Sequence, residues 1–387
     1  MRRQLGHIEQ RGNSWSIKVS LGKDVTGKVR YQTATVRGSK KDAEKKLSEL
    51  LHQASSGAIT IPGKVRVADY VDRWLKDYAE VNVARNVFEK YQNILKDYVQ
   101  PTIGNLLLTQ VKPEHLQKLY SDWQTRGLSA GTIRYRHAVI HKALATALKW
   151  GLVARNVADA VDIPRLRRGE MVVWDEHELA TFLEAAQDSQ FYELFYLALF
   201  TGMRRSELLA LRWQDVDFMM GQVSVSRGLH RLKDGSFIYN QPKSAKGRRT
   251  IALSPSVVLA LRHYRDKLSM DAALLGTVIR DDSLIFCDLD GSPLRPDRVS
   301  HYWASMTLKA GVKRIRLHDA RHTHASLMLK QGVHPKVVQE RLGHSTIAMT
   351  LDIYSHIAPG MQEAAAASFD TLVKVVDKKD LVTFSSK

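Results

Sequence analysis

Cysteine is nearly absent from this chain: Cys287 stands alone among 387 residues. One thiol excludes an intramolecular disulfide and speaks against a cysteine-rich zinc site. No apolar run approaches the roughly 20 residues needed to cross a bilayer. The opening MRRQLGHIEQ has charge but no hydrophobic segment behind it, so it does not read as a secretory signal. There is no P-loop and no GxGxxG in a nucleotide-binding context. Internal repeats and low-complexity tracts are likewise missing. Acid is scarce beside base, with 40 Asp and Glu against 58 Lys and Arg. These absences predict a protein of the prokaryotic cytoplasm, associated with the nucleoid, that needs no membrane and no cofactor.

The positive features begin with charge. A net charge of +18 and a pI near 9.8 predict binding to a polyanion, most simply nucleic acid. The charge is spread along the chain rather than held in a tail, which favours a protein that wraps its partner. Hydrophobic residues make up 44%, and the length suffices for two or three domains with real cores.

The chain reads as three modules. In residues 1–56, HIEQ, SWSIKVSLG and KVRYQTATV alternate polar and apolar residues as half-buried strands do. SKKDAEKKLSELLHQA follows as an amphipathic helix capped by Ser39. This module carries about 12 basic and 5 acidic side chains, and a three-stranded sheet fits a major groove. SSGAITIPGK is linker-like. Residues 64–163 read as four or five helices, with Pro101 and Gly104 separating the second from the third and Ser129 capping the last long one. That helix sets Arg134, Arg136, His137, His141 and Lys142 beside its apolar stripe, and Arg134, Arg136, His141 and Lys142 are candidate DNA contacts. DIPRLRRGE reads as a second linker. Residues 171–387 form a mixed, mainly helical domain with one strand-rich part over residues 221–254 and turns at Asp234-Gly235 and Lys246-Gly247. The fold class expected is thus multidomain and mainly α: a small sheet-plus-helix module, a helical domain, and a mainly α domain with a small sheet.

Three segments of the last domain carry the chemistry. TGMRRSELLALRW brings Arg204 and Arg205 to a helix break at Gly202, with Glu207 three residues on to brace a guanidinium. RLHDARHTH brings His318 and Arg321 at i and i+3, read as one helical face. His322 and His324 read as packing or supporting groups. A zinc pair of His318 and His322 lacks the glutamate of HExxH. LGHSTIAMTLDIYS brings His344, after a helix-ending Gly343, and Tyr354. Two arginines and two imidazoles suit a phosphodiester and its transition state, and the Tyr354 hydroxyl suits in-line attack on phosphorus. The leaving 5′ oxygen needs a proton, and Lys243 or Lys246, in an expected hairpin, could donate it. Metal is not required, because arginines take the role that Mg²⁺ plays in many phosphoryl transfers.

TGMRRSELLAL, HDARHTHAS and LGHSTIAMTLDIYSH together resemble the three catalytic boxes of the tyrosine site-specific recombinases, the bacteriophage-type integrases. The resemblance runs from about Trp174 to about Ala358. It implies Arg204 rather than Arg205, Lys243 rather than Lys246, and Arg204, Lys243, His318, Arg321, His344 and Tyr354 as the catalytic set with Tyr354 the nucleophile. It implies arm-type DNA binding by residues 1–56 and core-site binding by 64–163. The expected activity is recombination through a 3′-phosphotyrosine link, integrating or excising a mobile element. Four strands are exchanged, so a homotetramer on two double-stranded DNA sites is expected, with accessory DNA-bending or directionality factors. A type IB topoisomerase shares the chemistry, and a non-catalytic DNA-binding protein shares the charge.

Overall fold

The computed structural model describes residues 6–23, 29–55, 65–166, 171–241, 247–274 and 276–354. The chain divides into two compact units, residues 1–167 and 168–387.

The first unit begins with β1 (Gly6–Arg11), β2 (Ser14–Lys23) and β3 (Val29–Arg37), an antiparallel sheet in that order. Alternation sends Ile17 and Val19 inward, where they bury completely against Ala43 and Leu50 of α1 (Lys40–Ser55). The expected cap on α1 is reciprocal: Ser39 Oγ accepts the Asp42 N–H at 3.3 Å, and the Asp42 carboxylate accepts the Ser39 N–H at 2.9 Å. The other face of the sheet is polar. His7, Lys18 and Thr33 lie in one cross-strand row, Arg11 and Arg37 flank Ser14 in another, and Tyr31 lies under the Lys18 ammonium.

The helical part of this unit has four long rods. The first is α2 (Val67–Trp74), a π-helical turn over Leu75–Ala79 and α3 (Glu80–Asn82). The second is α4 (Arg85–Gln92), a π-helical stretch over Asn93–Val99 and α5 (Gln100–Ile103). The last two are α6 (Pro113–Thr125) and α7 (Ala130–Lys149). The break expected at Pro101 and Gly104 is found there: after the π-helical stretch the rod ends at Ile103, with Gly104 as its C-cap. Ser129 caps α7, accepting the Thr132 N–H. Trp74, Leu95, Leu116, Tyr120 and Ile133 fill the core.

The second unit packs α8 (Glu176–Ala186), α9 (Tyr192–Thr201), α10 (Arg205–Leu208), α11 (Pro255–Leu274), α12 (Pro296–Lys309), α13 (Ala320–Lys330), α14 (Pro335–Leu342) and α15 (Ala348–Tyr354). Trp174, Phe182, Phe195 and Trp303 form its aromatic centre, the two indoles stacked at 5.3 Å. Two small sheets lie between α10 and α11. β4 (Val216–Asp217), β5 (Gln222–Val225) and β8 (Arg249–Ala252) make one, and β6 (Gly228–Arg231) and β7 (Phe237–Asn240) the other. The expected hairpin around Lys243 therefore does not form as read: the strands on either side of it, β7 and β8, belong to different sheets.

Candidate active site

The site is built from the ends of two helices. A helix leaves its last carbonyls without intrahelical partners, and they form the negative end of its dipole. α9 ends at Gly202, whose φ of +64° turns the chain away. α14 ends the same way at Gly343, with φ of +66°, as the sequence predicted. The orphan carbonyls of both ends take up arginine and histidine donors. Arg321 Nη1 donates to Gly202 O at 2.9 Å and Nη2 to Leu342 O at 2.6 Å. Arg204 Nη2 donates to Gly343 O at 3.3 Å. Arg341 Nη2 donates to Phe200 O, and His324 Nδ1 reaches Leu199 O. The carbonyls thus fix the guanidinium planes that the sequence could only group.

A single carboxylate organises the middle. Glu207, buried, accepts the backbone N–H of Arg204 at 2.9 Å, its Nη1 at 2.7 Å, and both terminal nitrogens of Arg249 at 3.2 and 2.9 Å. Burial pushes its pKa up, but the Arg249 hydrogen bonds and the charges of Arg249 and Arg204 overrule that and hold it below the usual glutamate range. Arg249 Nε also donates to Arg341 O at 2.7 Å. Within this cluster the guanidinium groups of Arg204 and Arg249 share the Glu207 carboxylate, while those of Arg321 and Arg341 are held by backbone carbonyls. Arg321, only 3% exposed, shows the consequence: desolvation and Arg204 lower its pKa to about 9, so it remains a cation at neutral pH. A buried surplus of positive charge is costly and calls for an anion.

The two candidates for the first arginine part company. Arg204 faces Glu207 and Gly343, while Arg205 turns to Ser300 and the Pro296 carbonyl of α12, its Nη1 3.1 Å from the latter. His318 does not share a helical face with Arg321 as expected. It lies in the turn before α13, whose N-cap is Asp319. It retains an exposed face, its ring meets that of His322 edge to face at 5.4 Å, and partial burial with the His322 charge lowers its pKa. His344 is buried. Desolvation, Arg321 and Arg204 lower its pKa to about 3, and its Nδ1 lies 2.9 Å from Thr350 Oγ1. Tyr354 is the last residue of α15, reached one turn after Thr350. Lys243 and Lys246 lie outside the described residues, as does the segment after Tyr354.

The sequence reading missed Arg249 and Arg341. For Arg249 a signal existed: two residues before the buried Ile251 on β8, strand alternation points it inward too. His324 is the supporting residue expected. Its Nδ1 meets Leu199 O, its Nε2 accepts from Arg341 Nε at 3.1 Å, and burial lowers its pKa to about 4.

Of the four candidate DNA contacts on α7, Arg136 is corrected. It is 9% exposed, with its guanidinium 3.6 Å from the Tyr98 ring centre and 4.7 Å from that of Trp123. Sandwiched in the core, it is not offered to a phosphate. It sits on the stripe of Ile133, Ile140 and Ala143, where helical spacing already placed it. His141 Nε2 is held by Asp159 at 2.7 Å, and Lys142 lies over Tyr78 and Tyr91. Arg134 is exposed.

Comparison with known proteins identifies the family and the fold. Residues 173–361 match the sequence model of the Phage integrase family, and residues 67–124 match that of the phage integrase N-terminal SAM-like domain. A "Tyrosine recombinase XerC-like" protein of Caldanaerobacter subterraneus subsp. tengcongensis is 24% identical over 96% of this chain and its own full length. The ICEBs1 integrase of Bacillus subtilis is 25% identical over 93% of this chain and 97% of its own. Among solved structures, the Tn1549 transposon integrase in complex with a circular intermediate DNA superposes with a TM-score of 0.66 at 21% identity, covering 80% of this chain and all of that one. A lambda integrase tetramer bound to a Holliday junction superposes at 0.57 and 19%, covering 91% and 96%. At those identities the structures speak for the fold.

Proposed function

The chain belongs to the phage integrase family, and we propose that it is a site-specific DNA recombinase acting through a covalent 3′-phosphotyrosine link at Tyr354. The observation that carries the mechanism is the buried surplus of guanidinium charge between the ends of α9 and α14. Arg204 and Arg321 each spend two donors on the protein and keep others for a phosphate's nonbridging oxygens. Preformed donors of this kind stabilise a pentacoordinate phosphorane without reorganising.

In the reaction the Tyr354 hydroxyl passes its proton to a general base, a role open to the neutral His318 ring, and its oxygen bonds to phosphorus. The bond from phosphorus to the 5′ oxygen breaks, and that oxygen takes a proton from Lys243. Phosphodiester energy is kept in the tyrosine link, so a 5′ hydroxyl of the exchanged strand reverses the step without ATP. His318 and His344 donate to the same phosphate. His344, with its lowered pKa, does so as a neutral ring.

The module boundaries at 1–56, 64–163 and 171–387 divide the labour in this reading. The polar sheet face bearing His7, Arg11, Lys18 and Arg37 suits arm-type DNA. The helical domain, with Arg134 exposed, suits the core site together with the catalytic domain. A homotetramer on two sites would stage cleavage in pairs, with the alanine-rich segment from Met361 to Val376 as the coupling handle and accessory bending or directionality proteins setting the direction. Relaxation without strand exchange, as in a type IB topoisomerase, is the outcome this reading excludes.

A two-plasmid recombination assay tests it. The full chain is expected to join the plasmids at paired sites, and residues 64–387 to cleave core sites while losing integrative recombination. Relaxation of supercoils with no joined product would contradict the recombinase reading, and normal integration by residues 64–387 would contradict the role of the sheet module.

A further inference from the structure

Thr350 was passed over in the sequence, yet it is fully buried and lies on the helix that ends in Tyr354. Its Oγ1 is 2.9 Å from Nδ1 of His344, which is itself 4% exposed. A hydroxyl and a neutral imidazole can share a proton in either sense. Burial decides the sense here. If Nδ1 carried the proton and donated to Thr350, the hydroxyl's own proton would need an acceptor, and Oγ1 has no other hydrogen-bond partner among the described residues. An orphaned buried donor costs about 1–3 kcal/mol. If the hydroxyl donates to Nδ1, its proton is used and the ring's own proton sits on Nε2. Nε2 makes no hydrogen bond to the described residues and is not among the enclosed, unpartnered atoms, so it is the nitrogen left for a ligand. The surroundings agree, because Arg321 and Arg204 disfavour a charged ring and a neutral imidazole carries only one N–H.

We propose that Thr350 is a positioning residue of the cleavage step: it donates to Nδ1, holds His344 as the Nε2–H tautomer so that the ring offers a donor to a phosphate oxygen, and ties the tyrosine-bearing helix to that ring. The inference rests on the recombinase reading for the identity of the anion. Thr350 lies four residues before Tyr354 on α15, so the contact that sets the tautomer also fixes the helix one turn before the nucleophile.

The test uses the full chain with ¹⁵N-labelled histidine, whose two-bond proton–nitrogen correlations separate the tautomers, and with His344→Gln to identify the signal. In the wild type, Nδ1 of His344 is expected to show the unprotonated, hydrogen-bonded signature and Nε2 the protonated one. Thr350→Val, which keeps shape and loses the hydroxyl, is expected to populate the Nδ1–H tautomer. It should also cut nicked core sites at least roughly tenfold more slowly at unchanged DNA affinity, since losing one such donor outright costs about 10²–10³. Thr350→Ser is expected to restore both. A wild-type Nδ1–H tautomer, or wild-type cleavage by Thr350→Val, would overturn the proposal. Should the valine variant not fold, the wild-type spectrum and the serine variant still decide it. A wild-type chain whose His344 has the expected tautomer but which cleaves no core site would instead overturn the recombinase reading.

Discussion

At the scale of single residues, the catalytic boxes were legible because each carries an unusual density of arginine and histidine in a short span. Their partners were less so. Glu207 was read as a brace for Arg204, but its bidentate grip on Arg249 joins residues 42 apart in sequence, which spacing cannot show. Arg136 was misread for the opposite reason: in a basic chain an arginine on a helix reads as a phosphate contact, and only the stack against Tyr98 and Trp123 shows that it is core. The buried histidines give this scale its prediction. His324 and His344 have folded pKa values of about 4 and about 3, against 6.5 for an ordinary histidine. As pH falls below 6.5, the unfolded chain binds protons that the fold refuses, so stability is lost toward acid and is fully present above pH 6.5. The slope should approach about 1.4 kcal/mol per pH unit for each imidazole. Denaturant unfolding at pH 7, 6 and 5 measures it, and a flat profile over that range would show that these rings are not held neutral.

At the scale of elements, the strands and helices followed their periodicity, and the errors lie where two elements meet. The break read at Pro101 and Gly104 holds, with Gly104 at the C-cap, but the π-helical turns over Asn93–Val99 just before it left no mark in the spacing. Lys243 was read into a hairpin, but pairing partners are chosen by tertiary packing, and β8 pairs with β5. The two helix-ending glycines were legible and matter most. At Gly202 an added Cβ would lie 2.5 Å from Leu342 Cδ2 and 2.9 Å from His324 Cδ2, in a backbone with φ of +64°. Gly202→Ala should therefore combine left-handed strain of about 1–2 kcal/mol with a clash against the helix end that holds Arg321 and Arg204. Gly311→Ala, at φ of +66° with nothing within 4 Å, carries only the strain. The Gly202 variant is expected to lose several degrees more in Tm than the Gly311 variant, and to lose cleavage with it. Equal melting of the two would mean that the close approach of α9 to α14 is not needed.

At the scale of the whole molecule, the net charge of +18 spread over the chain was the first indication of a nucleic-acid partner. The order of the boxes located the chemistry in the second unit. What the sequence alone left open was how residues 139 positions apart come to one site, and the answer lies in two helix C-termini whose carbonyls orient Arg204, Arg321 and Arg341. The account requires that this cluster serve one nucleophile. Incubating the full chain with a nicked core site, from which the cleaved fragment diffuses away, and mapping the adduct by peptide mass spectrometry tests that claim most directly. The account predicts a nucleotide phosphate on Tyr354, formed without metal or ATP and absent from Tyr354→Phe, which still binds the site with nearly unchanged affinity. An adduct on another residue, or cleavage by Tyr354→Phe at the wild-type rate, would contradict it.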